Sequence, residues 1–335
     1  MKRFGFGTYT LSGGVAVVML AGCGGSQTPI AAPGAMPHTA AIAAHADRGK
    51  SWMLPEAKNE DLIYATGGCL GTCVFSYPGG KLVGTLDVGF GGSYATSGAC
   101  ADANGNVFIS NNQNIFEYAH GDATPIATLD LPGSNAIGCS VDPTTGNLAV
   151  VFSGSGKNVA IFPGAMGTPA LYDSDIDSTY CGYDNAGNLF VDGLGSENAP
   201  SLAELPSGSS EFSAISVSQS VGLPGQIQWD GRYITYQDLE HENIAVSRLD
   251  ISGSNATIVS KATFDIKKTA MQSWIYGNKI FIPYADTRIG RQSRVGVWKY
   301  PKGGRPTTSI RVTGVYQKTI NFQAVTFSSN RDHAR

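Results

Sequence analysis

Short apolar runs, broken by Gly, Pro, Asn and Asp, recur from Leu62 to Phe327. The clearest stretch is Cys181-Gly-Tyr-Asp184-Asn-Ala-Gly187-Asn188, which leads into Leu189, Phe190 and Val191. It predicts a strand, a tight turn and a return strand. Asp184 accepts backbone N–H bonds inside the turn, and Gly187 supplies the positive φ that the turn needs. The pattern returns around Asp142 and Gly146, and again around Asp102 and Gly105, each time after a cysteine (Cys139, Cys100). A second pattern alternates with the first: an apolar strand closing on an aromatic residue or Leu before a turn. Its copies close at Tyr77, Tyr118, Phe162, Leu205, Leu249 and Tyr300, spaced by 41, 44, 43, 44 and 51 residues. A four-stranded unit repeated every ~40–50 residues is the length of a propeller blade.

The return strands start at Leu62, Val107, Leu148, Leu189, Tyr233 and Ile280, which predicts six units. Nothing strand-like precedes Asp61, so the first unit lacks its inner strand. The apolar stretch Asn321–Phe327 lies beyond the last unit and fits that place. Pairing it with the first unit would close the ring and cover an open sheet edge. The expected fold is therefore all-β, a six-bladed propeller closed by its C-terminal strand. Two separate domains form the competing layout, and the unbroken period argues against them. With these motifs the chain resembles the six-bladed NHL and virginiamycin B lyase-like propellers over residues 56–329. That architecture carries lactonases, lyases, dehydrogenases and plain scaffolds alike, so function has to be argued from a site.

The start of the chain reads differently. Lys2 and Arg3 precede an apolar stretch that ends at Leu20 and is too short to span a membrane as a helix. Leu20-Ala21-Gly22-Cys23 resembles the lipobox of bacterial lipoproteins. The resemblance implies removal of residues 1–22, lipidation of Cys23 and a membrane anchor. Gly24, in place of aspartate, implies an outer-membrane address. Residues 23–50, rich in Ala, Pro and Gly, read as a flexible tether, and residues 51–335 as the propeller. Formal net charge is −3, which argues against a nucleic-acid partner.

Candidate chemistry is sparse. Cys69 and Cys73 are placed to form a small disulfide between two strands of an exported domain. Cys100, Cys139 and Cys181 occupy equivalent positions on three successive inner strands. They read as buried thiols, too far apart to bond, rather than as a soft-metal site. Asp173, Asp175 and Asp177 open like a calcium loop but lack its turn glycine, so calcium is the one cofactor left open. His241, flanked by Glu240 and Glu242, is the candidate general base of a lactonase-like hydrolase or lyase, the alternative to a binding module. Virginiamycin B lyase-like enzymes use a His/Glu constellation, and no second histidine occupies an equivalent loop here. Charge is segregated along the chain. From Asp173 to Glu242 twelve carboxylates face a single Arg232, whereas Thr287 to Arg331 holds nine Lys or Arg and no acid. Asp238 and Glu242 should therefore meet Arg288 and Arg291 on one face. They would form a polar mouth for a protein partner or a small polar or carbohydrate ligand.

Overall fold

The structure is a computed structural model that describes residues 50–69, 71–88, 98–153, 156–219, 221–239, 244–266, 272–286, 292–311 and 322–330. The signal segment and the tether up to residue 49, Cys23 included, lie outside these residues.

The turn chemistry acts locally. Asp102 Oδ1 accepts the N–H groups of Asn104 (2.8 Å) and Asn106 (2.7 Å). Asp184 Oδ1 does the same for Ala186 (2.8 Å) and Asn188 (2.9 Å). Gly105 and Gly187 sit at φ 83° and 81°, where a side chain would be strained. At Asp142, burial pushes the carboxyl up, but hydrogen bonds from Thr145 and Thr144 outweigh it and hold the group below the usual carboxylate range.

The first sheet holds β1 (Trp52–Met53), β2 (Asp61–Gly68), β3 (Gly71–Tyr77) and β4 (Leu82–Leu86), with the C-terminal strand Ala324–Ser328 on its inner edge. That last strand lies antiparallel to β2, from Leu62↔Ser328 to Thr66↔Ala324. Contrary to the reading of the sequence, a strand does precede Asp61: β1 caps the outer edge by pairing Trp52 with Thr85. The second sheet comprises β5 (Ala99–Ala101), β6 (Val107–Ser110), β7 (Asn114–Tyr118) and β8 (Pro125–Asp130). The third comprises β9 (Ser134–Val141), β10 (Leu148–Ser153), β11 (Val159–Phe162) and β12 (Ala170–Tyr172).

The next two repeats do not form two separate sheets. β13 (Asp177–Tyr183), β14 (Leu189–Leu194), β15 (Pro200–Leu205), β16 (Ser213–Val217), β17 (Pro224–Trp229), β18 (Ile234–Asp238), β19 (Ile244–Ser252) and β20 (Asn255–Phe264) make one eight-stranded sheet. The join is a parallel pair, Ser216↔Asn255 and Val217↔Ala256. The sheet bends back on itself until its edge strands β13 and β17 pack together. A Cβ on Gly182 would lie only 2.8 Å from the Ile227 carbonyl oxygen, so this seam requires glycine. The last sheet holds β21 (Trp274–Tyr276), β22 (Lys279–Asp286), β23 (Gln292–Lys299) and β24 (Thr308–Arg311), and the C-terminal strand is β25.

The architecture is thus a four-blade propeller ring plus a near-closed eight-stranded barrel. It is not the single six-bladed NHL-type propeller that the repeats imply. The physical reason is the β19–β20 hairpin, which pairs out to Ser252↔Asn255 and so reaches the outer strand of the preceding unit. In the ring, β25 packs on β5, β5 on β9 and β21 on β25, while the barrel meets β9 through β13 and β21 through β17.

The core lies between neighbouring sheets. Phe327 of β25 stacks on Phe281 of β22 at 5.0 Å, and Tyr77 meets both rings edge-on. Trp298 is buried between Phe264 and Tyr284. Two disulfides are present among the described residues. Cys69–Cys73 crosses the β2–β3 hairpin with its Cα atoms 5.1 Å apart. Cys100–Cys139 joins β5 to β9, which corrects the expectation that equivalent positions on adjacent blades lie too far apart to bond. The inner strands converge toward the ring's centre and bring these Cα atoms to 5.7 Å. Cys181 remains a buried free thiol, its Sγ 3.8 Å from the Ala149 carbonyl oxygen, and burial pushes it far above an ordinary thiol.

Candidate functional site

Apart from the parallel β16–β20 join, neighbouring strands alternate in direction within each sheet, so strand starts and ends sort onto two opposite ends. One end gathers the buried polar groups of the barrel and of the last blade. Asp192 of β14 is fully buried, and its Oδ1 accepts the Tyr180 N–H at 2.9 Å. Burial pushes its carboxyl well up, against the N–H groups of Tyr180, Asp192 and Gly225 that favour the charged form. Asp192 Oδ2 and, next to Gly225 in the chain, Gln226 Oε1 have no hydrogen-bond partner among the described residues. Gln226 donates its Nε2 to the Ile227 carbonyl at 2.7 Å. Gln237 Oε1 accepts the Ser273 hydroxyl at 2.7 Å, which ties β18 to the approach to β21.

Asp238, the last residue of β18, is 3% exposed and lies 3.6 Å from Lys261 Nζ. A Cβ on Gly222 would come within 2.0 Å of Asp238 Oδ1, so a glycine there leaves room for the carboxylate. Arg294, at the start of β23, is 8% exposed at the same end. At the same end, though lined by none of these groups, a groove of about 600 Å³ opens on the barrel rim. Ile176, Pro200, Ser201, Val217, Ser218 and Val221 are among its walls, so apolar side chains alternate with hydroxyls. Such a surface can bury apolar contacts while donating and accepting hydrogen bonds.

Of the residues singled out in the sequence, Asp238 belongs to this end, and Glu240, His241, Glu242, Arg288 and Arg291 lie outside the described residues. Asp173, Asp175 and Asp177 are exposed, and the Asp175 N–H donates to Asp173 Oδ1 at 3.1 Å. Among the described residues no group of three or more His, Cys, Asp or Glu could hold a metal ion. His120 serves structure. Its ring bridges Ser328 Oγ (2.6 Å) and the Glu60 carbonyl (3.0 Å), and burial lowers its pKa. Asp192, Gln226, Gln237 and Ser273 carry the site's hydrogen bonding and were not singled out. Their signal is a polar residue on a strand whose neighbours are apolar and buried.

No protein-family profile matches the chain, and no curated protein does. Solved structures are similar in fold. One, from the crystal structure of the nidogen/laminin complex, has a TM-score of 0.58 at 13% identity, covering 81% of this chain and 98% of that one. A Bacteroides caccae protein of unknown function has a TM-score of 0.56 at 12% identity, covering 80% and 99%. A calcium-binding protein, regucalcin from Agrobacterium tumefaciens, has a TM-score of 0.51 at 15% identity, covering 70% and 79%. At such identities the likeness is one of fold. The chain is a multi-domain all-β protein of the propeller and barrel kind.

Proposed function

We propose that this protein is a lipid-anchored module of the cell envelope that binds a polar ligand or a protein partner without turning it over. The observation that supports this most is the half-apolar groove on the barrel rim, at the same end as Asp192, Gln226, Gln237, Asp238 and Arg294. A concave, mixed surface with polar groups held rigidly by strands suits recognition. The nidogen/laminin complex lends the fold a precedent for protein binding.

The test pairs binding with turnover. Ser201→Trp places an indole in the groove, and binding of the partner recovered by the wild-type protein should fall at least about tenfold. The same preparation should leave a panel of lactones, esters and glycosides intact. Hydrolysis that vanishes in His241→Ala would replace the binding reading with the hydrolase or lyase reading.

The anchor has its own check. Cys23→Ala removes the one thiol that the lipobox pattern offers for lipid, so the protein should leave the membrane fraction. Membrane partitioning equal to wild type would end the lipoprotein reading.

A further inference from the structure

We infer that copies of this protein associate head to tail through their outer sheet edges: the acidic edge of β8 in one copy adds to the basic edge of β24 in the next. This surface is the rim of the blades, distinct from the barrel groove.

Four outer strands end a sheet among the described residues: β1, β8, β12 and β24. β8 and β24 are the longer two, with six and four residues, whereas β1 has two and β12 three. Unpaired N–H and C=O groups on such an edge are a template for another strand. β8 carries no Lys or Arg to block it, and only its first residue is proline. Ile126 on its outward side is 58% exposed. A groove of about 410 Å³ lies between Thr128, Leu129 and Asp130 on one side and Gly167, Thr168 and Pro169 of the next unit on the other, which leaves space beside this half of the edge.

The two edges match in pattern. Leu129 and Ile310 point inward and are 5% and 3% exposed. Set side by side in parallel, Ala127–Asp130 and Thr308–Arg311 put Leu129 next to Ile310. Thr128 then neighbours Ser309, and Asp130 neighbours Arg311. Outer strands of neighbouring units already pair in parallel inside this molecule, where the Ser216 N–H reaches the Ser254 carbonyl at 2.8 Å and the Ser218 N–H reaches Ala256 at 2.9 Å.

They also match in charge. From Ala99 to Leu131 the chain has four carboxylates and no Lys or Arg, while Thr287 to Arg331 has nine Lys or Arg and no acid. Asp130 and Arg311 are both exposed, and neither has an ion-pair partner among the described residues. Two different patches meeting make a heterologous contact, which builds open chains unless the rotation closes a ring. A short strand edge buries little area, so the contact is weak and concentration-dependent.

Sedimentation velocity of the purified protein over a concentration series is the test. Wild type should form species larger than the monomer, and added salt should dissociate them. Asp130→Lys and Arg311→Glu each place like charges together and should weaken association at least about tenfold. Neither should disturb the fold, because both side chains are exposed, and circular dichroism checks this. The double variant, Asp130→Lys with Arg311→Glu, restores opposite charges and should associate again. A wild type that stays monomeric throughout overturns the inference. Single variants that associate like wild type, or a double variant that stays monomeric, overturn it equally.

Discussion

Removal of residues 322–335 should leave a protein that does not fold as a monomer. β25 is the inner strand of the first sheet and pairs with β2 along its whole length. Phe322, Val325 and Phe327 are 2%, 0% and 3% exposed. Burying a side chain of this size contributes about 1.5–3 kcal/mol, so three of them together rival the ~5–15 kcal/mol of a whole domain. The strand also locks its neighbours. Ser328 Oγ donates to the Gly105 carbonyl at 2.6 Å, and the Val325 N–H reaches the Gln272 carbonyl at 3.2 Å. Cutting it therefore opens the ring at two junctions and bares the β2 edge, a route to aggregation. Gel filtration and a thermal melt decide. A truncated protein that elutes as a monomer with an unchanged Tm would refute the closure role of β25.

The pairing of this strand was legible because it is an apolar run with no partner of its own, matched to a first unit that lacks an inner strand. The turns at Asp102, Asp142 and Asp184 were legible because their chemistry is local. The barrel was not. Its joining strands, β16 and β20, are largely exposed on one side, and the pair that fuses the sheets is only Ser216↔Asn255 and Val217↔Ala256. No hydrophobic period announces a contact made by main-chain groups alone. The Cys100–Cys139 disulfide was hidden for a related reason: repeat spacing gives equivalent positions but not the distance between them at the ring's centre. At the candidate site, Asp238 was singled out through charge patterning. Asp192 and Gln226 were not, since their interest arises from burial, which the sequence shows only through apolar neighbours.

Asp230→Ala should cost about 3 kcal/mol of stability at neutral pH. The sequence marks Asp230 only as a turn residue ahead of Gly231. In the fold its side chain is buried, and both oxygens are occupied. Oδ1 accepts the N–H groups of Arg232 (3.0 Å) and Tyr233 (2.9 Å). Oδ2 accepts Arg248 Nε at 2.6 Å and the Tyr300 hydroxyl at 2.8 Å, which fastens the barrel to the last blade. The Arg248 guanidinium lies 5.3 Å from the Tyr300 ring centre, so three groups share one packing site. Alanine would strand a guanidinium, a hydroxyl and two N–H groups away from their acceptor. Tyr300→Phe removes a hydroxyl that donates to Asp230 Oδ2 and accepts from Arg248 Nε at 3.2 Å, and should cost about 1–3 kcal/mol. The pH dependence separates the ion pair from simple loss of packing. Burial pushes the Asp230 carboxyl up, but the hydrogen bonds of Tyr233, Tyr300, Arg232 and Arg248 outweigh it and hold the group below its ordinary value. A depressed folded pKa means that the contribution is complete above the unfolded value of about 3.9 and is lost as pH falls through the folded one. The stability gap between wild type and Asp230→Ala, from urea titrations, should therefore be constant from pH 7 to pH 5 and shrink below about pH 4. A gap that is the same at pH 3 as at pH 7 would show that Asp230 acts by filling space rather than by its charge.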